Sequence, residues 1–330
     1  MDAIIEAAII VYRASLNQTK VIDFDDMILF PLVTNIAVRF PKDVVFVDEA
    51  QDLSKTRQAL VRKFVKRNGR MIIVGDDRQA IYGFSGADAS ALDNLIRDTN
   101  AVSLPLSVTW RCPVAVVREA KKYVADIEAA PNAKEGSVQY ATTIPTKLIP
   151  GQDAVLCRNM APLIKVAYQL LRNGVAAKVE GRDVGEGLKT LCRRWKVKTV
   201  SALLTRLDDY QARETQKYAA KGEASKVEAV EDKCGALREI ADKMLLEGKQ
   251  DVADVIAFID ALFADGATNV VTLATYHRSK GREWNRVFLF EHSTRCPSRA
   301  AKKEWEMGQE NNLAYVAITR AQDTLVFVGE

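Results

Sequence analysis

The chain has 330 residues, of which 47 are Lys or Arg and 43 are Asp or Glu, so its formal net charge is +4. This length predicts about two domains, and a content of 48% hydrophobic and 27% charged residues excludes disorder, collagen and coiled-coil rods as descriptions of the whole chain. The mild positive charge permits a nucleic-acid partner without requiring one, and no apolar run approaches the ~20 residues of a membrane span.

Regular elements are expected throughout the first hundred residues. Apolar residues at helical spacing predict a helix over residues 2–17. Two apolar runs, residues 44–47 and 71–74, are separated by a helical stretch at about 54–66 and a turn at Asn68-Gly69. Both runs are apolar throughout, which is typical of strands buried on both faces of a parallel sheet. This order predicts a doubly wound α/β domain with its ligands at the carboxyl ends of the strands.

A second α/β set begins near residue 102. The pattern predicts a strand at 102–106, a helix at 113–129, a strand at 154–157 and a helix at 161–173. Residues 187–265 lack proline and are rich in Ala, Lys, Glu and Leu, which indicates a helical block. Strand patterns then resume at 270–274, 287–290 and 324–328.

Two carboxylates, Asp48 and Glu49, directly follow the first predicted strand. Consecutive side chains of a strand point to opposite sides, so the two groups can take different roles. One suits Mg²⁺, and the other can polarise a water that attacks a phosphate. The alternative is an ordinary strand end followed by a helix N-cap at Asp52 or Ser54. The local pattern leaves both interpretations open.

The second predicted strand leads into a glycine-flanked loop that contains Gln79, Tyr82 and Phe84. Gln79 has a donor and an acceptor, so it suits the reading of a phosphate or the orientation of a water. Aromatic side chains in such a loop can stack on unpaired bases, each worth ~1–3 kcal/mol. Alternatively they fill a hydrophobic crevice under the loop, and for Phe84 the local sequence favours neither interpretation.

These two segments resemble motifs II and III of the superfamily 1 DNA helicases of the UvrD/Rep/PcrA kind. The resemblance continues in chain order. Residues 23–26 resemble the segment that re-enters the first motor domain, and three further stretches resemble motifs IV, V and VI: TWRCP at 109–113, TYHRSKGREW at 275–284 and NLAYVAITRA at 312–321. The resemblance covers nearly the whole chain and is weak only in the helical block.

The resemblance implies a nucleotide site with ATP between two RecA-like domains. Trp110 would stack on the adenine and Glu283 would contact the ribose. Arg111 and Arg320 would reach the γ-phosphate, a role that suits the fork of a guanidinium. Taken alone, Arg320 also fits a surface cation at a helix C-terminus.

The resemblance also assigns roles in the first lobe. Asp48 would hold Mg²⁺, Glu49 would act on the attacking water, and Gln79 would link the γ-phosphate to the DNA-facing loop. Three side chains would face single-stranded DNA: Tyr82, Phe84 and His277. Taken alone, a single histidine at position 277 also fits an ordinary loop position.

The chain departs from the family pattern in two places. Ser85 stands where the family usually has an arginine beside the stacking aromatic, which predicts weaker or altered strand binding. The 330 residues contain no G-x-x-x-x-G-K-[ST] phosphate loop, and the near match at 181–190 fails because Leu188 separates the glycine from Lys189. We therefore expect a motor without its phosphate loop, inactive alone and completed by a separate N-terminal segment.

The expected fold is α/β, with two RecA-like doubly wound parallel-sheet lobes, the first incomplete, and a helical insertion in the second. The expected segments are 1–100 for the first lobe, 101–186 and 266–330 for the second, and 187–265 for the insertion. Five scattered cysteines without a C-x-x-C pair, and an N-terminus without a basic region, favour reduced thiols and a cytoplasmic location.

The expected function is that of an ATP- and Mg²⁺-dependent helicase or translocase in DNA repair or replication. It would act on single-stranded and duplex DNA, 3′ to 5′ by resemblance, and would not involve a membrane. The alternative is a helicase-like module that binds DNA or a partner without turnover. A helicase–nuclease subunit is disfavoured because no cluster of carboxylates and lysine typical of nucleases follows motif VI.

Overall fold

The computed structural model describes residues 2–18, 20–83, 90–264 and 266–329. The chain forms two compact units, unit 1 (Met1–Pro105) and unit 2 (Leu106–Glu330). In the described part of the chain, no helix combines the length and the apolar character needed to cross a membrane.

Unit 1 contains a two-stranded parallel sheet with helices around it. Its described strands are β1 (Lys42–Val47) and β2 (Val65–Ile73). Its described helices are α1 (Asp2–Asn17), α2 (Phe24–Val33), α3 (Lys55–Lys63) and α4 (Ala91–Thr99), with short 3-10 turns at Ala50–Asp52 and Asp77–Gln79. A capping box in which Asp23 and Asp26 exchange bonds with each other's backbone N–H begins α2.

The predicted turn at Asn68-Gly69 is wrong, because both residues lie inside β2. The register of the β1–β2 pair shifts at this point. A side chain at Gly69 would place its Cβ 2.9 Å from the carbonyl oxygen of Asp43 on the neighbouring strand. The glycine therefore allows a close approach of two backbones at a strand irregularity, which sequence patterns do not separate from a turn.

The prediction that the strands of unit 1 are buried on both faces is also wrong. Phe46 is 72% exposed, and Ile72 and Val74 are about half exposed. One small buried cluster of the unit consists of Val47, Ala50 and Leu95, and Ile81 and Ala91 are also buried. Since β1 and β2 have only each other as strand neighbours among the described residues, their outer edges and much of their apolar surface face solvent.

Unit 2 is built on a six-stranded, all-parallel sheet in the order β5-β10-β9-β6-β8-β7. Its strands are β5 (Ser137–Ala141), β6 (Asp153–Cys157), β7 (Ala177–Val179), β8 (Val271–Thr275), β9 (Trp284–Phe290) and β10 (Ala321–Val328). A separate short parallel pair is formed by β3 (Val108–Thr109) and β4 (Glu128–Ala129). The predicted α/β class with parallel sheets is confirmed.

Helices cover this sheet and form the block between β7 and β8. They are α5 (Val114–Ala120), α6 (Met160–Arg172), α7 (Arg182–Arg194), α8 (Val200–Ala219), α9 (Ala224–Leu246), α10 (Val252–Leu262), α11 (Tyr276–Ser279), α12 (His292–Arg295) and α13 (Glu304–Ile318). Leu203, Leu237 and Ile240 of the block share one hydrophobic core with Val155 and Leu273 of the sheet. The helical block is thus packed onto the sheet as part of the same unit.

Two further element predictions are corrected around the start of unit 2. Residues 102–106 form no strand, and Leu104 and Leu106 are almost fully exposed, because no neighbouring strand pairs with them. The helix predicted over 113–129 ends at Ala120. Beyond it the backbone of Glu128 donates to the carbonyl of Ser107, so pairing with β3 replaces continuation of the helix.

Candidate nucleotide-binding site

The end of β1 in unit 1 presents the two predicted carboxylates. Asp48 and Glu49 directly follow the strand, and both are exposed. Glu49 has a left-handed backbone conformation with φ of 50°. Such a conformation costs a non-glycine residue about 1–3 kcal/mol of conformational free energy, and residues of this kind cluster at functional sites. The backbone strain is therefore located at the residue predicted to act on water.

A buried glutamine connects the ends of β1 and β2. Gln51 is 3% exposed, its Nε2 donates to Glu49 Oε2 at 2.5 Å, and its Oε1 accepts the backbone N–H of Asp76 at 3.0 Å. Gln79 Nε2 in turn donates to Asp76 Oδ2 at 2.8 Å. Gly75 leaves the space for this arrangement, because a Cβ there would lie 2.8 Å from Gln51 Oε1. Glu49 and Gln79 are thus joined through the side chain of Gln51 and through the backbone N–H and carboxylate of Asp76.

Asp48 fits the predicted metal role only as a single ligand. Its carboxylate is exposed, and Oδ1 accepts the N–H of Glu49 at 2.9 Å. Within the described residues there is no group of three or more His, Cys, Asp or Glu arranged to hold a metal ion. Mg²⁺ keeps most of its waters and commonly uses one or two carboxylates together with substrate phosphates, so one exposed aspartate is compatible with it.

Unit 2 contains an open pocket of about 670 Å³ that brings together three of the predicted nucleotide residues. Trp110 lies at the pocket with 78% of its surface exposed, so its ring is available for stacking. The lining residues come from four separate parts of the chain: Thr109, Trp110, Arg111, Lys134, Glu283, Asn285 and Gln322. Such a combination of an aromatic ring, cations and a carboxylate suits a nucleotide.

Glu283 is the most heavily bonded side chain of this pocket. Its Oε2 accepts from Arg111 Nε at 2.5 Å, and its Oε1 accepts from Gln322 Nε2 at 2.7 Å. Both Arg111 and Glu283 remain more than a third exposed. The ion pair is therefore open to competition by a charged ligand, because an exposed pair contributes little to stability.

Arg320 lies behind the pocket and does not line it. It is 1% exposed, and its guanidinium donates to the carbonyls of Val316 and Arg282 and to Thr319 Oγ1. Burial, and then the positive charge of Arg111, lower the pKa of Arg320 to about 10. It therefore stays positively charged at neutral pH, as a second cation next to Arg111.

Two contacts hold the separate segments of the pocket together. The thiol of Cys112 lies 3.5 Å from the carbonyl oxygen of Thr319, which it reaches as a weak donor. The backbone N–H of Trp284 donates to the carbonyl of Arg320 at 3.0 Å. Residues after β3, before β9 and before β10 are thereby fixed relative to one another, as the motif resemblance requires.

The candidate residues of unit 1 and unit 2 lie at different ends of their strands. In unit 1 the candidate carboxylates do follow β1. In unit 2, by contrast, Glu283 and Arg320 immediately precede β9 and β10, so the pocket lies at the amino ends of these strands. The carboxyl-end rule describes sheets whose ligand is bound by the loops after the strands, and here the loops that enter the strands carry the residues.

His277 lies at the other end of the same sheet. It belongs to α11, which directly follows the carboxyl end of β8. The preceding Tyr276 is fully buried, and its hydroxyl is 2.9 Å from Nδ1 of the buried His292. Burial, with smaller contributions from Arg158 and Arg278, lowers the pKa of His277 to about 3. A half-buried neutral imidazole can hydrogen bond to a ligand but brings no positive charge to a phosphate.

The remaining predicted DNA-facing residues are in unit 1. Tyr82 is half-buried and follows the 3-10 turn that contains Gln79. Phe84 and Ser85 lie outside the described residues. The assignment of Tyr82, Phe84 and His277 to one DNA surface stays a prediction.

The near match to a phosphate loop is part of a helix. Gly185 and Gly187 lie inside α7, and Lys189 on the same helix pairs with Glu186 at 2.7 Å and with Asp260 of α10. A phosphate loop needs an irregular backbone whose N–H groups point at the ligand. Here those groups are engaged within a helix, and the lysine joins two helices.

Two family models match the chain. The UvrD/REP helicase N-terminal domain matches residues 2–100, and the UvrD-like helicase C-terminal domain matches residues 177–329. The chain belongs to the UvrD-like helicase family. The first match contains the carboxylates after β1, and the second contains His277 and the parts of the pocket contributed by β9 and β10.

Individual helicases are also similar to this chain, over shorter stretches than the family models. The ATP-dependent DNA helicase Rep of Escherichia coli is 31% identical over 123 residues, which is 35% of this chain and 18% of Rep. PcrA of Leuconostoc citreum is 31% identical over 108 residues, or 30% of this chain and 14% of PcrA. DNA helicase II of Haemophilus influenzae is 25% identical over 123 residues, which is 35% of this chain and 17% of that helicase. The matched stretch is thus less than a fifth of each of these helicases.

Several residues of the site were missed by sequence reasoning. Gln322 and Lys134 line the pocket of this UvrD-like chain, and Gln51 and Asp76 connect the two strand ends of unit 1. Gln51 and Asp76 stand within the segments that were singled out, so their positions were visible, whereas their hydrogen bonds were not. Lys134 has no sequence signal, because it is far from the motifs.

The depressed pKa of His277 predicts an acid-dependent loss of stability. Its pKa is about 3 in the folded chain against an ordinary value of 6.5, so below pH 6.5 the unfolded chain binds a proton that the folded chain does not. The free energy of unfolding should therefore fall, by up to about 1.4 kcal/mol per pH unit from this group, as the pH drops from about 6 toward 4.

Urea unfolding of the chain and of His277→Asn at pH 7, 6, 5 and 4 measures this effect. The stability of the chain relative to the variant should decline steadily below pH 6.5. A difference between the two proteins that does not change with pH would contradict the neutral state of the half-buried His277.

Proposed function

We propose that this chain is part of an ATP-dependent motor that moves along single-stranded DNA and unwinds duplex DNA, with 3′ to 5′ polarity. The observation that carries the proposal is the pocket of unit 2, where Trp110, Arg111 and Glu283 meet from segments more than 170 residues apart. These residues have no local reason to converge, and together they offer a stacking surface, a phosphate ligand and a ribose acceptor.

In the proposed nucleotide complex, Trp110 stacks on the adenine and Glu283 accepts hydrogen bonds from the ribose. Arg111 offers its guanidinium to the γ-phosphate, and Arg320 contributes a second positive charge beside it. Such charges are arranged before the reaction starts, so they stabilise the charge that develops during phosphoryl transfer without reorganisation. Both side chains of the Arg111–Glu283 pair are more than a third exposed, so a nucleotide can reach them.

Unit 1 supplies the residues that act on the attacking water in this proposal. Asp48 holds Mg²⁺, which neutralises phosphate charge when bound, and Glu49 orients the water and accepts its proton. The hydrogen bonds through Gln51 and Asp76 support a link from Glu49 to Gln79 and onward to the DNA-facing loop. Single-stranded DNA is bound by Tyr82, Phe84 and His277.

A separate polypeptide segment that carries a phosphate loop is proposed as the partner of unit 1. The support is physical: β1 and β2 expose apolar side chains on one face, including Phe46 and Ile72, and both outer strand edges lack a strand partner among the described residues. Unpaired edges and apolar patches of this kind normally indicate an interaction surface. No stretch of the 330 residues matches the phosphate-loop pattern, so the loop would come from this partner.

The test uses a fluorescent ATP analogue and the DNA-dependent ATPase assay. The chain should bind the analogue, and Trp110→Ala should weaken binding about tenfold because stacking is worth roughly 1–3 kcal/mol. The chain alone should hydrolyse no ATP above background, and joining a phosphate-loop segment to unit 1 should give DNA-stimulated hydrolysis. Equal binding by the chain and by Trp110→Ala would contradict the nucleotide site.

The second candidate is a helicase-like module that binds DNA or a partner without turnover. The absence of a phosphate-loop pattern from the 330 residues favours it. The same experiment separates the two functions. Salt-dependent DNA binding without ATP hydrolysis, even after a phosphate-loop segment is joined, would support the binding module.

A further inference from the structure

A local irregularity of β10 lies against the pocket of unit 2. The β9–β10 register pairs Ala321 with Trp284 and then Thr324 with Arg286. Two residues of β10, Gln322 and Asp323, therefore stand opposite the single residue Asn285. A bulge of this kind turns side chains away from their regular alternation and often lies beside a functional site.

Both bulged residues contact side chains that line the pocket. Gln322 Nε2 donates to Glu283 Oε1 at 2.7 Å, and Asp323 Oδ1 accepts from Lys134 Nζ at 2.6 Å. Lys134 lowers the pKa of Asp323, as expected for an ion pair. The bulge thus places one donor and one acceptor at the edge of the nucleotide pocket.

The bond from Gln322 limits how Arg111 pairs with Glu283. Arginine and carboxylate commonly form two parallel hydrogen bonds, which would use both oxygens of Glu283. Here Arg111 binds through Nε to Oε2, while Oε1 is bonded to Gln322. The terminal nitrogens of Arg111 are left for a phosphate, and a carboxylate with about four acceptor positions keeps room for ribose hydroxyls.

We propose that Gln322 is a positioning residue that keeps the Arg111–Glu283 pair singly bonded, so that Arg111 can bind phosphate and Glu283 can recognise the ribose. The inference rests on the proposed nucleotide function of this pocket. Without the Gln322 donor, Glu283 rotates into a two-bond pair with Arg111 and withdraws both groups from the nucleotide. Gln322 thereby sets the discrimination between ribose and 2′-deoxyribose through its hydrogen bond to Glu283.

The first experiment examines the pair itself and needs no nucleotide. A crystal structure of Gln322→Leu, which keeps the side-chain volume and removes the donor, should have two nitrogen–oxygen contacts of hydrogen-bond length between Arg111 and Glu283. Retention of the single Nε contact in Gln322→Leu would overturn the proposal, whether or not the chain binds ATP.

The second experiment measures binding of ATP and 2′-deoxy-ATP by calorimetry. The chain should prefer ATP, whereas Gln322→Leu should bind ATP about tenfold more weakly and lose most of the preference, as expected for the loss of one hydrogen bond at a charged group. Gln139→Leu is the matched control, because Gln139 is an exposed glutamine of β5 that contacts Ser137 outside the pocket.

The outcomes separate this proposal from the function on which it rests. Unchanged ATP affinity and an unchanged ATP to 2′-deoxy-ATP ratio in Gln322→Leu would overturn the role of Gln322 and leave the nucleotide site intact. Failure of the chain itself to bind ATP would overturn the proposed function, while the crystal structure of the variant would still decide how Gln322 acts on the pair.

Discussion

Replacing Gly136 by alanine is expected to cost unit 2 roughly 3 kcal/mol of unfolding free energy or more. Gly136 has φ of 64°, and a Cβ there would lie 2.5 Å from two carbons of Pro113 and 2.6 Å from the carbonyl oxygen of Asp323. Neither neighbour can move freely, because Pro113 is the N-cap residue of α5 and Asp323 belongs to β10. Relief of the overlap must displace Pro113, and with it the adjacent segment that carries Arg111.

Gly174→Ala is the matched control for this prediction. Gly174 has φ of 74°, and no atom lies within 4 Å of the position of its Cβ. Gly174→Ala should therefore lose only the unfolding free energy that the left-handed conformation costs an alanine, about 1 kcal/mol. Urea unfolding of both variants measures the difference, which isolates the steric overlap at Gly136. Equal losses of unfolding free energy in the two variants would mean that the segment around Pro113 moves aside without an energetic penalty, which would contradict the prediction.

Replacing Glu49 by glutamine is expected to lower DNA-stimulated ATP hydrolysis by about 10²–10⁴-fold in a protein that joins a phosphate-loop segment to this chain. An amide cannot accept the proton of the attacking water. The shape of the side chain is retained, and an amide oxygen can still accept the bond from Gln51 Nε2. Binding of the ATP analogue should therefore remain unchanged while turnover is lost, which single-turnover kinetics will measure.

Asp77→Asn provides the control for the loss of a carboxylate. Asp77 lies in the 3-10 turn with its side chain 67% exposed, and it faces Arg78. The proposed chemistry gives it no role, so the variant should hydrolyse ATP at the unaltered rate. Hydrolysis by Glu49→Gln at the same rate as Asp77→Asn would remove Glu49 from the proposed mechanism.

Much of the fold was predictable because its signals are local. The strands β6, β8 and β10 are short, apolar and bounded by polar residues, and the structure places them within a few residues of their predicted limits. The helical block was visible from its lack of proline and its composition. The motif resemblance then named Trp110 and Glu283, which the structure brings into one pocket.

The errors have a common physical origin in contacts between distant residues. Gly69 lies close to the backbone of a neighbouring strand, and residues 102–106 have no strand partner. Neither fact can be predicted from the local sequence. The strands of unit 1 have the apolar pattern of buried strands although one face is exposed. A sequence pattern shows which side chains are apolar, but it does not show whether another element packs against them. Gln322 owes its position to a bulge, which depends on how β10 pairs with β9.

The position of the unit 2 sites at opposite ends of one sheet has a thermodynamic consequence. A ligand at Glu283 lies before β9, and a ligand at His277 lies after β8, so the two are separated by about the 17 Å length of a five-residue strand. They share no side chain through which they can compete directly. The eight residues 276–283 are the shortest covalent route between the two positions, and packed side chains of the sheet can also carry an influence of one on the other. Linkage then requires reciprocity: whatever factor the first ligand imposes on the affinity for the second, the second imposes on the first.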